Sequence, residues 1–442
     1  MKNFQIPKGW ESRPFWRDYG RVLRQLDLIP AMETPTEATP APQPSPSGAI
    51  PGLDGPDDFL RRDYAGLVAE FGDRFGKGEF HAGALFRSVY RKGIADPAGL
   101  AEFAANPALA ESVRAAYGLR LPEISGRAGG GVTGALPEGG TYKFLLRLKD
   151  GLESESVVIP MRHYKSLCVS SQVGCKMGCT FCETAQMGLV RSLDAGEIVA
   201  QVMVARHVLK EPVENLVFMG MGEPMDNLDQ ILQAVRVLSD QRGLNIPMSS
   251  ITISTVGHVD GIRRLAALAA ESSLASASPH ADFSHANFSR LRLAVSLNAP
   301  NDAIRSKIMP VNVKWPMAEL KRALLEFPLA RKADFLFMEY VLIPGVNDGR
   351  EHALEVAEYL RGLRTCVNLI PYNPRLESPY GKPDRDGVAR FFTWLMEAGQ
   401  YCRVRGTKGQ ESMAACGQLG NRALRRSRRG ADTAAVRTPS LP

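Results

Sequence analysis

Three cysteines fall close together in Cys175-Lys-Met-Gly-Cys179-Thr-Phe-Cys182. This C-x3-C-x2-C spacing lets three thiolates hold three irons of a [4Fe–4S] cluster. Such clusters usually have four cysteine ligands, and no fourth cysteine lies in register here. One iron would stay open to a substrate, as one position does on a catalytic zinc. The spacing therefore points to catalysis rather than electron storage. The alternative is a structural zinc site, which needs a fourth ligand from elsewhere. No C-x2-C or H-x3-H partner pair is present to supply it. The remaining cysteines, Cys168, Cys366, Cys402 and Cys416, are scattered singly. A disulfide framework does not suit a long chain with so few.

The elements that must carry this loop come from the patterning around it. The chain has 442 residues, 44% of them hydrophobic, enough for two or three domains. Its start lacks the apolar core of a secretory signal, and no run approaches the ~18 apolar residues of a membrane span. The expected location is the reducing cytoplasm, where thiolates stay free for metal. The net charge is +7 and the pI about 9.0, which favours an anionic partner such as nucleic acid. The excess concentrates in Asn421-Arg-Ala-Leu-Arg-Arg-Ser-Arg-Arg429, readable as a solvated tail or as phosphate contacts.

Residues 1–58 read as an N-terminal extension and a disordered linker rich in proline. Residues 59–123 read as a small helical domain, with Leu67, Val68, Phe71 and Phe75, then Ala84, Leu85, Val89 and Tyr90, at helical spacing. Arg87, Arg91 and Lys92 alternate with the second set; they could meet phosphates or form the wet side of a helix. Gly129-Gly130-Gly131 marks a break. Lys149-Asp150-Gly151 between β-rich runs reads as a hairpin turn. From there to about 420 strands and helices alternate. The strands are expected at 167–171, 215–219, 250–254, 291–296, 335–342 and 366–370. The helices are expected at 195–209, 228–240, 259–270, 317–326 and 351–363. Six strands alternating with helices predict an α/β parallel sheet or partial barrel. Residues 271–289 read as an insertion whose His280 and His285 are solvent-exposed rather than ligands. Residues 421–442 complete the chain as a basic disordered tail.

Chemistry in parallel α/β folds collects at the carboxyl ends of strands. Here the cysteine loop follows the first strand and Gly220-Met-Gly-Glu-Pro224 the second. Ser254-Thr255 ends the third and Ser296-Leu297-Asn298 the fourth; Pro371-Tyr372-Asn373-Pro374 follows the sixth. Each alone is ordinary turn chemistry; together they form one polar rim. Glycines there would let the backbone approach a cofactor, and Glu223 could accept hydrogen bonds from an ammonium group.

With these motifs the chain resembles the radical SAM superfamily, and within it the RlmN/Cfr family of RNA adenosine methyltransferases. The resemblance covers about residues 59–420 and rests on Cys168-Val-Ser-Ser-Gln-Val-Gly-Cys175, the cysteine triad, Gly220-Met-Gly-Glu-Pro224, Asn368-Leu-Ile-Pro-Tyr-Asn373 and Ala414-Ala-Cys416-Gly-Gln-Leu419. It implies a partial (β/α)6 barrel with a small helical RNA-binding domain and a β-hairpin extension. It implies one [4Fe–4S] cluster on Cys175, Cys179 and Cys182, and S-adenosylmethionine lined by Gly222, Glu223, Ser254, Ser296, Leu297, Asn298 and Asn373.

The resemblance also assigns roles. Cys416 would accept a methyl group as a nucleophilic thiolate, and Cys168 would be the second catalytic cysteine. Glu155 would take the proton from the ring carbon; the plainer alternative is a surface glutamate beside a turn. A radical made on a second S-adenosylmethionine would activate the methyl on Cys416 for attack on the electron-poor carbon. The implied activity is methylation of adenosine C2 in 23S ribosomal RNA, with tRNA as a further target. Methylation at C8 and a radical SAM enzyme with a non-RNA substrate are the alternatives; a non-catalytic zinc-bound RNA module is the rival outside enzymes. The implied partners are RNA and an electron donor such as flavodoxin or ferredoxin, with no membrane, the enzyme acting as a monomer. Cys366 and Cys402 read as core thiols. Two residues depart from the family's pattern: Asn298 stands where histidine is usual, and Glu183 where a small residue is.

Overall fold

A computed structural model describes residues 49–128, 140–276, 287–331, 334–375, 377–406 and 417–420. The linker up to residue 48, the triple glycine, His280, His285, Cys416 and the basic tail lie outside the described residues.

The first described residues correct one expectation. Rather than staying irregular through residue 58, the chain forms β1 (Ala49–Asp54) and β2 (Asp57–Asp58). Both pair with a strand that follows the helices, and Leu53 is buried. Helix α1 (Tyr64–Phe75) starts where the Asp63 carboxylate accepts from Gly66 N at 2.8 Å, and it stops at left-handed Gly76. It buries Leu67 and Phe71, two of the positions its period predicts. Helix α2 (Glu79–Arg87) runs on as a π-helical turn over Ser88–Lys92, burying Ala84, Leu85, Val89 and Tyr90. Arg87, Arg91 and Lys92 are exposed. Arg87 meets Glu102 at 3.7 Å and Arg91 donates to the Gln241 carbonyl. After α3 (Pro107–Ala116), β3 (Tyr117–Arg120) closes this small unit, with the Tyr117 ring stacked on Phe71.

A ten-stranded sheet makes up the rest. Three antiparallel strands come first: β4 (Glu123–Ala128), β5 (Tyr142–Arg147) and β6 (Glu153–Pro160). The expected hairpin joins β5 to β6, with Gly151 at φ +81°. β6 pairs with β7 (Lys165–Cys168), from which the sheet becomes parallel. A separate ribbon of β8 (Gln172–Cys175) and β9 (Gly188–Ser192) encloses the cysteine loop and the short α4 (Glu183–Gln186).

Helix α5 (Ala195–Met203) begins with a capping box between Asp194 and Glu197 and continues as a π-helical turn to Val208. Then follow β10 (Val213–Phe218), α6 (Leu228–Ser239), β11 (Ile251–Thr255), α7 (Val259–Ser276) and β12 (Arg292–Ser296). After these come α8 (Asp302–Ile308), α9 (Met317–Glu326), β13 (Leu336–Leu342), α10 (Arg350–Leu360) and β14 (Thr365–Pro371). α7 extends into the segment read as an insertion. Among the elements not foreseen are α8, the β8–β9 ribbon, α11 (Arg385–Glu397) and the parallel edge strand β15 (Cys402–Val404). β7, β10, β11, β12, β13 and β14 are six successive parallel strands, as expected of a partial barrel, with the antiparallel hairpin on one side. β11 is buried throughout, as expected of a strand covered on both faces. Full burial of a side chain such as Ile253 contributes about 1.5–3 kcal/mol.

Candidate active site

The cysteine loop is shaped by glycines before it is shaped by metal. Gly174 has φ +78°, and an added Cβ would lie 1.9 Å from the Gly188 carbonyl across the ribbon. That close approach places Cys175 at the end of β8. Cys179 and Cys182 follow in the loop, which Thr180 N anchors to the Ile308 carbonyl at 2.9 Å. Cys175 and Cys179 share an apolar cluster with Met177, Phe181, Ile308 and Met309, and Cys182 packs against it. Burial pushes the Cys175 thiol up to about 12, and it also raises Cys179 and Cys182. None of the three forms a disulfide.

Thiols in such a setting lose their protons only to a bound cation, because coordination deprotonates them outright. Three soft sulfur donors in a dry pocket suit iron–sulfur ligation. No three His, Cys, Asp or Glu side chains among the described residues converge on a single ion. Cluster cysteines need no such convergence, since each binds a different iron.

Cys179 and Cys182 line a cavity at the carboxyl ends of the strands. Six residues expected to line a cofactor face the same space: Gly222, Glu223, Ser254, Ser296, Asn298 and Asn373. Leu297 does not line it. That residue is fully buried, its N–H held by the Val295 and Glu339 carbonyls.

Glu223 is 1% exposed and accepts from Val256 N at 2.9 Å and Met225 N at 3.1 Å. Burial still pushes its carboxyl up to about 7, the hydrogen bonds opposing it. The glycines beside it are also required by the protein's own packing. Gly222 has φ +106°, and a Cβ there would strike Gln172 Cβ at 2.6 Å. At Gly220 it would strike Ser170 Oγ at 2.7 Å. The 170–172 segment beneath them therefore leaves no room for a side chain at either glycine.

Asn298 has φ +55°, and Asn and His are among the residues enriched in that region. The exchange of one for the other thus leaves the backbone undisturbed. The Asn298 side chain accepts from Val341 N at 2.8 Å and reaches Met309 Sδ at 3.4 Å.

Two residues that hold the rim were missed from sequence. Arg305 is fully buried and donates to the Leu297, Ser296 and Val256 carbonyls and to Asn312. Asn347 donates to the Asn298 and Val341 carbonyls. A single arginine in α8 and a loop asparagine carry no signal of such work; only the fold brings the loops to them.

Glu155, 2% exposed, lies on β6 across from the barrel. Lys143 on β5 meets its carboxylate at 3.0 Å, and Gly420 N donates to it at 3.2 Å. Val157 pairs with Cys168, so Glu155 and the buried Cys168 share a sheet face as diagonal neighbours. Segment 417–420 runs from this group to the cysteine loop. The Gly417 carbonyl accepts from Glu183 N at 2.7 Å, and the Leu419 carbonyl accepts from Thr184 Oγ1 at 2.5 Å. Gln418 donates to the Pro374 carbonyl at 3.0 Å, and Gly417 lines the cavity. Glu183, the second departure, is buried, and its Cγ would lie 3.2 Å from a Cβ at Gly420. Cys416, just before this segment, lies outside the described residues. Cys366 and Cys402 are buried between strands, away from the cavity.

Barrel and cysteine loop together define a radical SAM enzyme, and the Radical SAM superfamily matches residues 169–359. A crystal structure of a radical SAM methyltransferase from Sphaerobacter thermophilus superposes with a TM-score of 0.70 at 35% identity, covering 82% of this chain and 99% of that one. The dual-specificity RNA methyltransferase RlmN of Lawsonia intracellularis is 39% identical over 351 residues, 77% of this chain and 90% of its own length. That of Caulobacter vibrioides is 35% identical over 405 residues, 89% and 91% of the two chains. The chain belongs to the RlmN family of RNA methyltransferases. Membership implies a [4Fe–4S] cluster and S-adenosylmethionine, which sets the zinc alternative aside. No helix among the described residues is long and apolar enough to cross a membrane.

Proposed function

We propose that this enzyme, an S-adenosylmethionine-dependent RNA methyltransferase, methylates C2 of adenosine in 23S ribosomal RNA and in tRNA, with the methyl group carried on Cys416. Cys175, Cys179 and Cys182 hold the cluster. Gly222, Glu223, Ser254, Ser296, Asn298 and Asn373 hold S-adenosylmethionine, with Glu223 receiving its ammonium group. When bound, the cluster and cofactor supply one-electron chemistry, which the protein positions and shields. Cys416 takes the methyl group by displacement. Once the activated carbon has joined the ring, one electron would return from the adduct to the bound cluster, and Glu155 removes the ring proton. The Cys168 thiolate then attacks the Cys416 sulfur and breaks its bond to that carbon, which takes up a proton to become the methyl group, leaving a Cys168–Cys416 disulfide. The target base must leave its stack to reach the barrel mouth.

The observation that carries this reading is the tie at Glu155. A buried carboxylate on the hairpin, diagonal to Cys168, accepts from Gly420 N four residues beyond Cys416. Acid–base group, resolving thiol and the segment next to the methyl carrier thus belong to one neighbourhood. Electrons would come from a flavodoxin or ferredoxin, and the enzyme would act as a monomer in the cytoplasm.

Mass spectrometry of nucleosides from rRNA and tRNA of a deletion strain tests the assignment. Loss of 2-methyladenosine, restored by the gene, is expected. Loss of 8-methyladenosine instead would move the reaction to C8, and an unchanged set of methyladenosines would remove the RNA assignment.

A further inference from the structure

The proposed cofactor residues occupy only part of the cavity. Across it, Glu339 and Arg405 form an ion pair that those roles leave unused. Glu339 stands in mid-sheet, paired with Ser296 on one side and Asn368 on the other. Its backbone carbonyl accepts from Leu297 N at 3.0 Å and Asn298 N at 3.3 Å, so its position is fixed by the rim loop. One carboxylate oxygen accepts from Asn368 Nδ2 at 2.7 Å, the other from Arg405 Nη1 at 3.3 Å. A carboxylate has about four acceptor positions, so capacity remains toward the cavity. Arg405 follows β15, and its N–H to the Leu369 carbonyl at 2.9 Å extends the strand pairing. Its guanidinium also approaches Met219 Sδ at 3.6 Å, and the side chain is one-third exposed.

A charged pair inside a largely apolar barrel is poor evidence of added stability, because apolar side chains of like volume often serve as well. Its chemistry suits recognition: an acceptor and a donor fork side by side. Adenine offers the matching array, an N6 amino donor beside a ring-nitrogen acceptor. Guanine offers two acceptors, O6 and N7, on the corresponding edge, and the carboxylate would repel O6.

We infer that Glu339 and Arg405 read the target base, Glu339 accepting from the N6 amino group and Arg405 donating to N7. The choice of edge follows from the reacting carbon and rests on the proposed C2 reaction. Holding N1 would set the guanidinium beside C2 and block it. Holding N6 and N7 covers the C8 side and leaves C2 turned away toward the thiols. The pair therefore selects adenine and also the carbon that is methylated.

The test uses cluster-loaded full-length enzyme and three RNA stem-loops, identical except for adenosine, inosine or 7-deazaadenosine at the target. Methyl transfer is measured as kcat/KM, and equilibrium binding is measured without S-adenosylmethionine. Wild type is expected to favour adenosine over either analogue by roughly tenfold to a hundredfold. Glu339→Gln should lose most of its discrimination against inosine, because a carboxamide can donate as well as accept. Arg405→Met, which leaves β13 untouched, should lose the penalty for 7-deazaadenosine. Wild type treating the three RNAs alike, or variants slowing all three by one common factor, would overturn the role of the pair while leaving the methylation reading intact. A wild type that methylates none of them would overturn that reading, and this inference with it.

Discussion

The rim after β10–β12 and the hairpin side of the barrel are built by different means. At the rim, Glu223 and Asn298 are fixed by backbone groups only a few elements away, and Arg305 stitches the loops from beneath. Across the barrel, Glu155 depends on Lys143 from the next strand and on Gly420 from the far end of the chain. The first arrangement is preorganised before any ligand arrives. The second is assembled from segments far apart in sequence and held by few bonds. That suits the proposed division of labour: one site holds a cofactor still, while the other must give two thiols successive access to one carbon.

Several substitutions can break or sharpen this contrast. Cys179→Ala has the largest expected effect: loss of the brown iron–sulfur absorbance after anaerobic purification, and of all turnover. Glu155→Gln should keep the cluster and S-adenosylmethionine binding yet slow product formation roughly 10²- to 10⁴-fold. It should also accumulate a covalent RNA–protein adduct visible on a denaturing gel. An equal loss of S-adenosylmethionine binding would erase the separation of the two regions.

Arg305→Met addresses the rim alone. It strips donors from three carbonyls and Asn312, and should cost about 3 kcal/mol or more in denaturant unfolding. It should weaken S-adenosylmethionine binding as well, without trapping any adduct.

A pH series gives a smaller effect. With its carboxyl raised to about 7, Glu223 is largely protonated below that pH and ionised above it. Only the ionised form attracts an ammonium group, so S-adenosylmethionine affinity should fall as pH drops through 7, and Glu223→Gln should flatten the profile. The same shift lowers the stability of the unliganded fold as pH rises from 4.5 toward 7, because the unfolded chain releases that proton first. Asn298→His should change least, under about 1 kcal/mol by thermal melting, since both residues accept the left-handed backbone.

Much of the barrel was legible because its strands are short apolar runs bounded by turn residues. The six parallel strands begin and end within a few residues of their expected positions. α11 carried a readable stripe of Val388, Phe391, Phe392, Leu395 and Met396, overlooked beside the Pro-rich stretch before it. The β8–β9 ribbon was hidden because its pairing spans the cysteine loop and depends on Gly174 lying against Gly188. Within the site, motif residues at strand ends could be named in advance because their chemistry is local. Arg305, Asn347, Lys143 and the Glu339–Arg405 pair could not, because each acts on groups brought near only by the closed sheet. The motif glycines also lie against the 170–172 segment, a contact between distant segments that the sequence does not show.

The central claim is that Cys416 carries the methyl group to a base positioned beside Glu155 and Cys168. Mass analysis of the Cys416 peptide, from cluster-loaded enzyme incubated with S-adenosylmethionine and then given RNA for one turnover, tests it directly. The account predicts one added methyl group on Cys416 before RNA, its loss in step with appearance of 2-methyladenosine, and a Cys168–Cys416 disulfide afterwards. An unmodified Cys416 throughout a productive turnover would contradict it.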